Sequence, residues 1–173
     1  ETPYKHDFRF EVMQEDIEYS PYLSKVYDFC PAPGQFVNTM PEYEEGDTKE
    51  TILKKVEENI SGTNDVMISL GGYGGYVIFG FDHTVINVKG KKDFMILGNS
   101  FYSDLPEYQE KKGGSCEPGI VMVSFDTNLN GLPDDEWYEL AGSEYYKPET
   151  IKNYRITYDR PDPNKIPEPD MGQ

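Results

Sequence analysis

VMISLGGYGGYVIFGFDHTVINVKGKKDFMIL, residues 66–97, decides the fold class. It holds four runs, VMISL, YVIFGF, TVINV and DFMIL, rich in β-branched and aromatic residues. GGYGG, Asp82-His83 and Lys89 to Lys92 separate them. Short apolar runs with turn signals between them read as the strands of a β-rich fold. GGYGG lacks the Lys-Ser/Thr of a phosphate-binding loop and precedes a strand rather than a helix, so it reads as a glycine turn or bulge. His83 falls in a turn and reads as a surface residue rather than a ligand or base.

One helix interrupts this pattern on the N-terminal side. In EYEEGDTKETILKKVEENISG, residues 42–62, Ile52, Leu53, Val56 and Ile60 recur on one helical face. Asp47 is placed to cap it, Glu50 completes a capping box, and Gly62 suits the C-terminal cap, so the helix is expected over about 48–60. Asn59-Ile60-Ser61 matches a glycosylation sequon by chance. Before the helix, SKVYDFCPAPGQFVN predicts a short strand, a Pro-Gly turn and an apolar patch. Earlier still, FRFEVMQ alternates and predicts a strand with Phe8, Phe10 and Val12 on one face.

On the C-terminal side, LGNSFYSDLPEYQEKKGGSCEPG is long, polar and aromatic. Asn99, Phe101, Tyr102 and Tyr108 are candidates for a ligand-binding rim, because long structured loops often carry function. The alternative is a covering loop that packs its rings on the sheet. Glu117, beside Pro118, either accepts hydrogen bonds from loop backbone or joins a cation site.

GIVMVSF (119–125) then enters DTNLNGLPDDE (126–136) and leaves as WYEL. Asp126, Asn128, Asn130 and Asp134 occupy positions 1, 3, 5 and 9 of this loop, with Gly131 at position 6. Alternate oxygen donors that curl around one point, with glycine at the sharp turn, are what a hard cation such as calcium needs. Leu132 offers its backbone carbonyl, and Asp135 or Glu136 offers a closing carboxylate. The same residues also suit an Asx- and glycine-rich turn without metal. Beyond it, AGSEYYKPETIKN reads as a loop and YRITY as a last alternating strand. Residues 161–173 form a Pro-rich, charged tail, leaving one domain over 1–160.

The chain of 173 residues carries 32 acidic and 16 basic side chains, a net charge of -16. Phosphate backbones and anionic membrane surfaces would be repelled, which argues against nucleic acid and membrane partners. No apolar run approaches the roughly 18 residues of a membrane span. The two cysteines, Cys30 and Cys116, sit in turn-like contexts far apart, and a disulfide between them is expected in an exported protein. Neither has a CxxC partner, so zinc and thiol chemistry are poor readings.

D-x-N-x-N-G-L-P-D resembles the calcium loops of bacterial extracellular repeats, which are related to EF-hand loops. It departs from them in its two Asn ligands, in Trp137 at position 12, and in its exit into a strand. The longer phrases, SLGGYGGYVIFGFDHTVINVKGKKDFMILGNSFY and EPGIVMVSFDTNLNGLPDDEWYELAGSEY, are similar to a domain of secreted cell-surface proteins of Bacteroidetes type. Those proteins are often lipoproteins, or multidomain chains with PKD-like or propeller neighbours. The resemblance spans roughly residues 26–160. It implies export to the cell surface and a mainly β, jelly-roll-like sandwich of the galactose-binding or carbohydrate-binding-module type, with one helical insertion. It carries no established activity.

Three functions follow as expectations. The first is a non-catalytic, calcium-stabilised extracellular module, a monomer within a longer chain, that binds glycan or a host or cell-surface protein. The second is a structural or adhesive spacer. The third is a glycoside hydrolase using two carboxylates, although no pair is marked out and no GxSxG or HExxH motif is present.

Overall fold

The computed structural model describes residues 18–106 and 113–165. Within them the chain is β-rich with one helix. Six strands pair as three separate two-stranded antiparallel sheets: β1 (Lys25–Cys30) with β2 (Tyr76–Gly80), β3 (Phe101–Tyr102) with β4 (Gly114–Ser115), and β5 (Met122–Ser124) with β6 (Trp137–Glu139). The helix α1 spans Lys49–Ile60. None of the described helices is long and apolar enough to cross a membrane. The strand expected over residues 8–14 lies outside the described residues.

The core forms where α1 packs on the β1–β2 ribbon. Strict alternation would put Val26 and Asp28 on one face of β1 and send Phe29 to the other. The register avoids this: Val26 pairs with Phe79 and Asp28 with Ile78, so Tyr27 is an extra residue, a β-bulge. One inserted residue reverses the facing of everything after it. Val26 and Phe29 therefore share the buried face, where they meet Ile52, Val56 and Ile60 of α1. Those three lie four apart and make one stripe, as the periodicity predicts. Leu23, Leu53, Ile68, Val77 and Phe79 pack around them. Glu57 reaches from the helix to accept the Val26 amide at 2.8 Å, satisfying a strand donor.

The cap lies one residue later than expected. Thr48, not Asp47, is the N-cap: its hydroxyl accepts the Thr51 amide, and the Thr51 hydroxyl accepts the Thr48 amide. Threonine thus replaces Glu50 as the reciprocal partner. Asp47 instead accepts hydrogen bonds from the Thr51 hydroxyl and the Glu44 amide and pairs with Lys55 at 2.9 Å. At the far end Ser61 is the C-cap and Gly62 follows with φ +72°, the left-handed conformation expected of it.

The GGYGG turn is a docking surface for backbone. A Cβ on Gly71 would lie 1.9 Å from the Ala32 carbonyl oxygen, and one on Gly75 would lie 1.8 Å from that of Leu70. Both positions therefore need glycine. The close approach lets the Ala32 amide donate to Leu70 O at 3.0 Å. Tyr158 donates its hydroxyl to Tyr73 O at 2.9 Å, and Tyr73 donates in turn to Tyr154 O at 3.1 Å. Residues 154–158 are thus held by tyrosine hydroxyls rather than a ladder.

They are not the only expected strand without one. Residues 66–70, 84–88, 94–97 and 119–121 also lie outside the strands. Their side chains suit a pleated surface, but a ladder also needs a neighbouring backbone to exchange N–H and C=O groups. Ile86 is 72% exposed and Met95 66%, whereas Ile68 packs on the core.

Asp28 ties the helix to the ribbon. Its carboxylate accepts from Lys49 at 2.8 Å and from the Tyr76 hydroxyl at 2.8 Å. The Lys49 hydrogen bond, then that of Tyr76, hold its pKa below the ordinary 3.8. With the folded pKa depressed, the unfolded chain binds more protons near pH 4, so stability rises with pH there. The contribution is present above the unfolded value and is lost as pH falls through the folded one. Asp28→Asn should therefore lower the melting temperature at pH 7, and the difference from wild type should shrink as pH falls below 3.8 through the folded pKa. Parallel melting curves for variant and wild type across pH 2–7 would contradict this role.

Candidate metal and ligand sites

The β5–β6 hairpin positions the acidic loop. Met122, Val123 and Ser124 pair with Glu139, Tyr138 and Trp137, and Leu140 N donates to Val121 O at 2.9 Å. The ladder brings the two ends of the loop together, and local bonds do the rest. The Asp126 carboxylate accepts the Asn130 amide at 3.1 Å on one oxygen and the Gly131 amide at 2.8 Å on the other. Asn128 Oδ1 accepts the Asn130 amide at 2.9 Å, and Asn130 Oδ1 accepts the Leu132 amide at 2.8 Å. These are successive Asx turns. Gly131 takes φ +73°, which gives the sharp bend. Asp134 closes the curl, accepting from Asn128 Nδ2 at 3.3 Å and Asn130 Nδ2 at 3.0 Å.

Four of the expected donor residues, Asp126, Asn128, Asn130 and Asp134, are therefore joined in one network. Leu132 lies beside it through its amide, and its carbonyl has no hydrogen bond among the described residues. Of the two proposed closing acids, Asp135 accepts from the amide and hydroxyl of Thr127, bracing the loop at its base. Glu136 is directed elsewhere: it accepts the Tyr138 hydroxyl at 2.6 Å, two residues on and on the same side of β6. That bond leads the causes that raise the Tyr138 pKa. Trp137 Nε1 donates to Pro133 O at 3.4 Å, which anchors the loop exit.

The donor set is two acids and two amides. No group of three or more His, Cys, Asp or Glu side chains converges among the described residues. None of the described ion pairs involves Asp126 or Asp134. Their two charges meet only N–H groups, a neutral solvation that leaves net negative charge in the curl. Each Asn carbonyl uses one lone pair on a backbone amide and keeps a second.

The aromatic rim is only partly assembled. β3 pairs Phe101 with Ser115 and Tyr102 with Gly114. Both rings stand clear of the protein, Phe101 at 62% exposure and Tyr102 at 74%, so they do not pack on the sheet. Asn99 is not free to greet a ligand, because its Nδ2 donates to the Glu117 carboxylate. Glu117 thus pairs with a side chain rather than loop backbone. Tyr108 lies outside the described residues. The expected Cys30–Cys116 disulfide is not formed: both thiols are free and exposed, and Cys116 Sγ accepts from the Ser100 hydroxyl at 3.0 Å. β1 places Cys30 in the sheet with the helix, whereas Cys116 follows β4 in a different ribbon.

A second constellation surrounds His83. Its Nδ1 lies 2.7 Å from Asp82 Oδ1, and Asp82 Oδ2 accepts the Ser20 amide at 2.9 Å. The His83 bond, then the Ser20 bond, hold the Asp82 carboxyl below its usual range. The imidazole lies against Tyr19, with centroids 5.1 Å apart, and Phe81, at 6.0 Å. Phe81 in turn meets Phe79 edge-on at 6.1 Å. The sequence carries the signal in Phe79, Phe81 and His83, which alternate as one face of an extended chain would require. Treating His83 as an isolated turn residue misses it. No protein-family model matches the chain, and no curated protein matches it.

Proposed function

We propose that the chain is a calcium-stabilised, non-catalytic binding module of an exported bacterial cell-surface protein, with glycan as its ligand. The observation that carries the calcium reading is the curl of Asp126, Asn128, Asn130 and Asp134 around a glycine bend. Asp126 and Asp134, the two Asn carbonyls and the Leu132 carbonyl would hold the ion. Calcium would take the Asp134 carboxylate from the Asn amide N–H groups and neutralise charge that now meets only N–H dipoles. Two neutral ligands place the affinity in the weak extracellular range, roughly 0.1–1 mM.

The finer fold in this reading is a jelly-roll-like β-sandwich. The three antiparallel ribbons and the apolar segments beside them are consistent with parts of its layers. The glycan reading draws on the exposed Phe101 and Tyr102, whose faces suit the C–H side of a sugar ring, and on the resemblance to surface proteins. The chain is expected to act as a monomer within a longer protein, with neither nucleic acid nor membrane as partner.

A glycan array probed in calcium tests the reading. Binding is expected for the wild type and should weaken roughly 2- to 12-fold in Tyr102→Ala, the range of one aromatic contact. The melting temperature should stay within about 2 °C, since an exposed side chain contributes little stability. A wild type that binds no glycan yet gains stability from calcium would instead be a spacer.

A further inference from the structure

We propose that the cleft around His83 is a binding site for one neutral sugar ring, distinct from the Tyr102 rim. This rests on the glycan reading above. The cleft has a volume of about 390 Å³ and is lined by Tyr22, Phe79, Phe81, His83, Asp93 and Phe94, among others. That volume lies near the lower end of small-ligand sites, roughly 300–1,000 Å³, as a single ring requires.

Its chemistry is two-sided. Aromatic rings supply apolar faces, and Asn64 and Thr84 add polar side chains to the lining. A pyranose has the same division, with C–H groups on its faces and hydroxyls around its perimeter. His83 is the fixed point. Asp82 holds Nδ1, and Tyr19 and Phe81 flank the ring, so its orientation is set. In the neutral tautomer with the proton on Nδ1, Nε2 is an acceptor, and it has no protein partner among the described residues. It is placed to accept a sugar hydroxyl.

The charges select against anionic ligands. Asp82 and Asp93 would repel an anion. Asp82 Oδ1 is engaged by His83 Nδ1 at 2.7 Å, and Asp93 Oδ1 accepts the Val88 amide at 3.2 Å. A neutral polyol satisfies the remaining groups without displacing either bond.

The chain has only two histidines, His6 and His83, so histidine-selective isotope labelling gives two ring signals. The probes are the methyl glycosides of glucose, galactose and N-acetylglucosamine, titrated into the calcium-loaded protein. One of them should shift one ring signal saturably, and His83→Gln should remove that signal. Phe81→Leu keeps the apolar volume but loses the aromatic face, and should weaken binding roughly 2- to 12-fold. Tyr102→Ala should leave the shift in place. If the array finds a ligand but the His83 signal stays silent and Phe81→Leu binds as wild type, the cleft is overturned and the glycan reading stands. If neither the array nor any methyl glycoside gives binding, both fall. Should Phe81→Leu lower the melting temperature, His83→Gln decides: undiminished affinity there overturns the proposal.

Discussion

Phe29→Ala is expected to cost the protein about 3–5 kcal/mol, the range for removing a buried aromatic from a core. Phe29 is 5% exposed and sits where the bulged strand meets the helix. The buried core among the described residues is small, consisting of Val26, Phe29, Ile52, Val56 and Ile60. With so few members, each contact has few neighbours able to close around a void. Domains of this kind are stable by only about 5–15 kcal/mol, so the loss is a large share of the total. At about 2–4 °C per kcal/mol the midpoint should fall by roughly 6–20 °C. Thermal melts followed by circular dichroism measure this, with Phe101→Ala as the exposed control, expected to move the midpoint by no more than about 2 °C. A Phe29→Ala melt within that margin would mean that α1 and the β1–β2 ribbon do not form the stabilising core.

Asp126→Ala is the second large effect. This carboxylate receives two backbone amides, those of Asn130 and Gly131, and it is the first donor of the calcium curl. Its loss removes two hydrogen bonds to a charged group, each worth about 1.5–3 kcal/mol when sheltered and less in an exposed loop. It also removes a metal ligand. The loop joins β5 to β6, and a two-stranded hairpin has little stability of its own. Loosening its connection should fray the ladder from Ser124–Trp137 toward Met122–Glu139. Amide hydrogen exchange at Val123 and Tyr138 should therefore quicken in the variant. Unchanged exchange there would separate the loop from the hairpin it closes.

The parts of the structure legible in the sequence are those whose bonds are local. The Ile52, Val56 and Ile60 stripe and Gly62 define the helix because its ladder spans four residues. The Asp126–Asp134 curl is legible for the same reason, since its hydrogen bonds connect residues two to six apart. Its closing acid is not, because Glu136 is drawn off by Tyr138 once β6 sets both on one side. β1 and β2 are recognisable from composition, but the bulge at Tyr27 depends on the register with β2. Residues 84–88 and 94–97 show where propensity stops: they have strand composition but lie outside the strands. The His83 cleft draws on residues from Pro21 to Ile96, too dispersed for spacing to reveal. The cysteines give no spacing rule at all, and the fold leaves them unbridged.

The most direct test of the central claim is the melting temperature of the wild-type protein in EDTA against that in 5–10 mM calcium, roughly ten times the expected dissociation constant. Binding to the folded state alone should add about 1.4 kcal/mol at that excess. The midpoint should then rise by roughly 3–6 °C. Equal midpoints in the two solutions would contradict the calcium site and leave Asp126, Asn128, Asn130 and Asp134 as a turn held by its own hydrogen bonds.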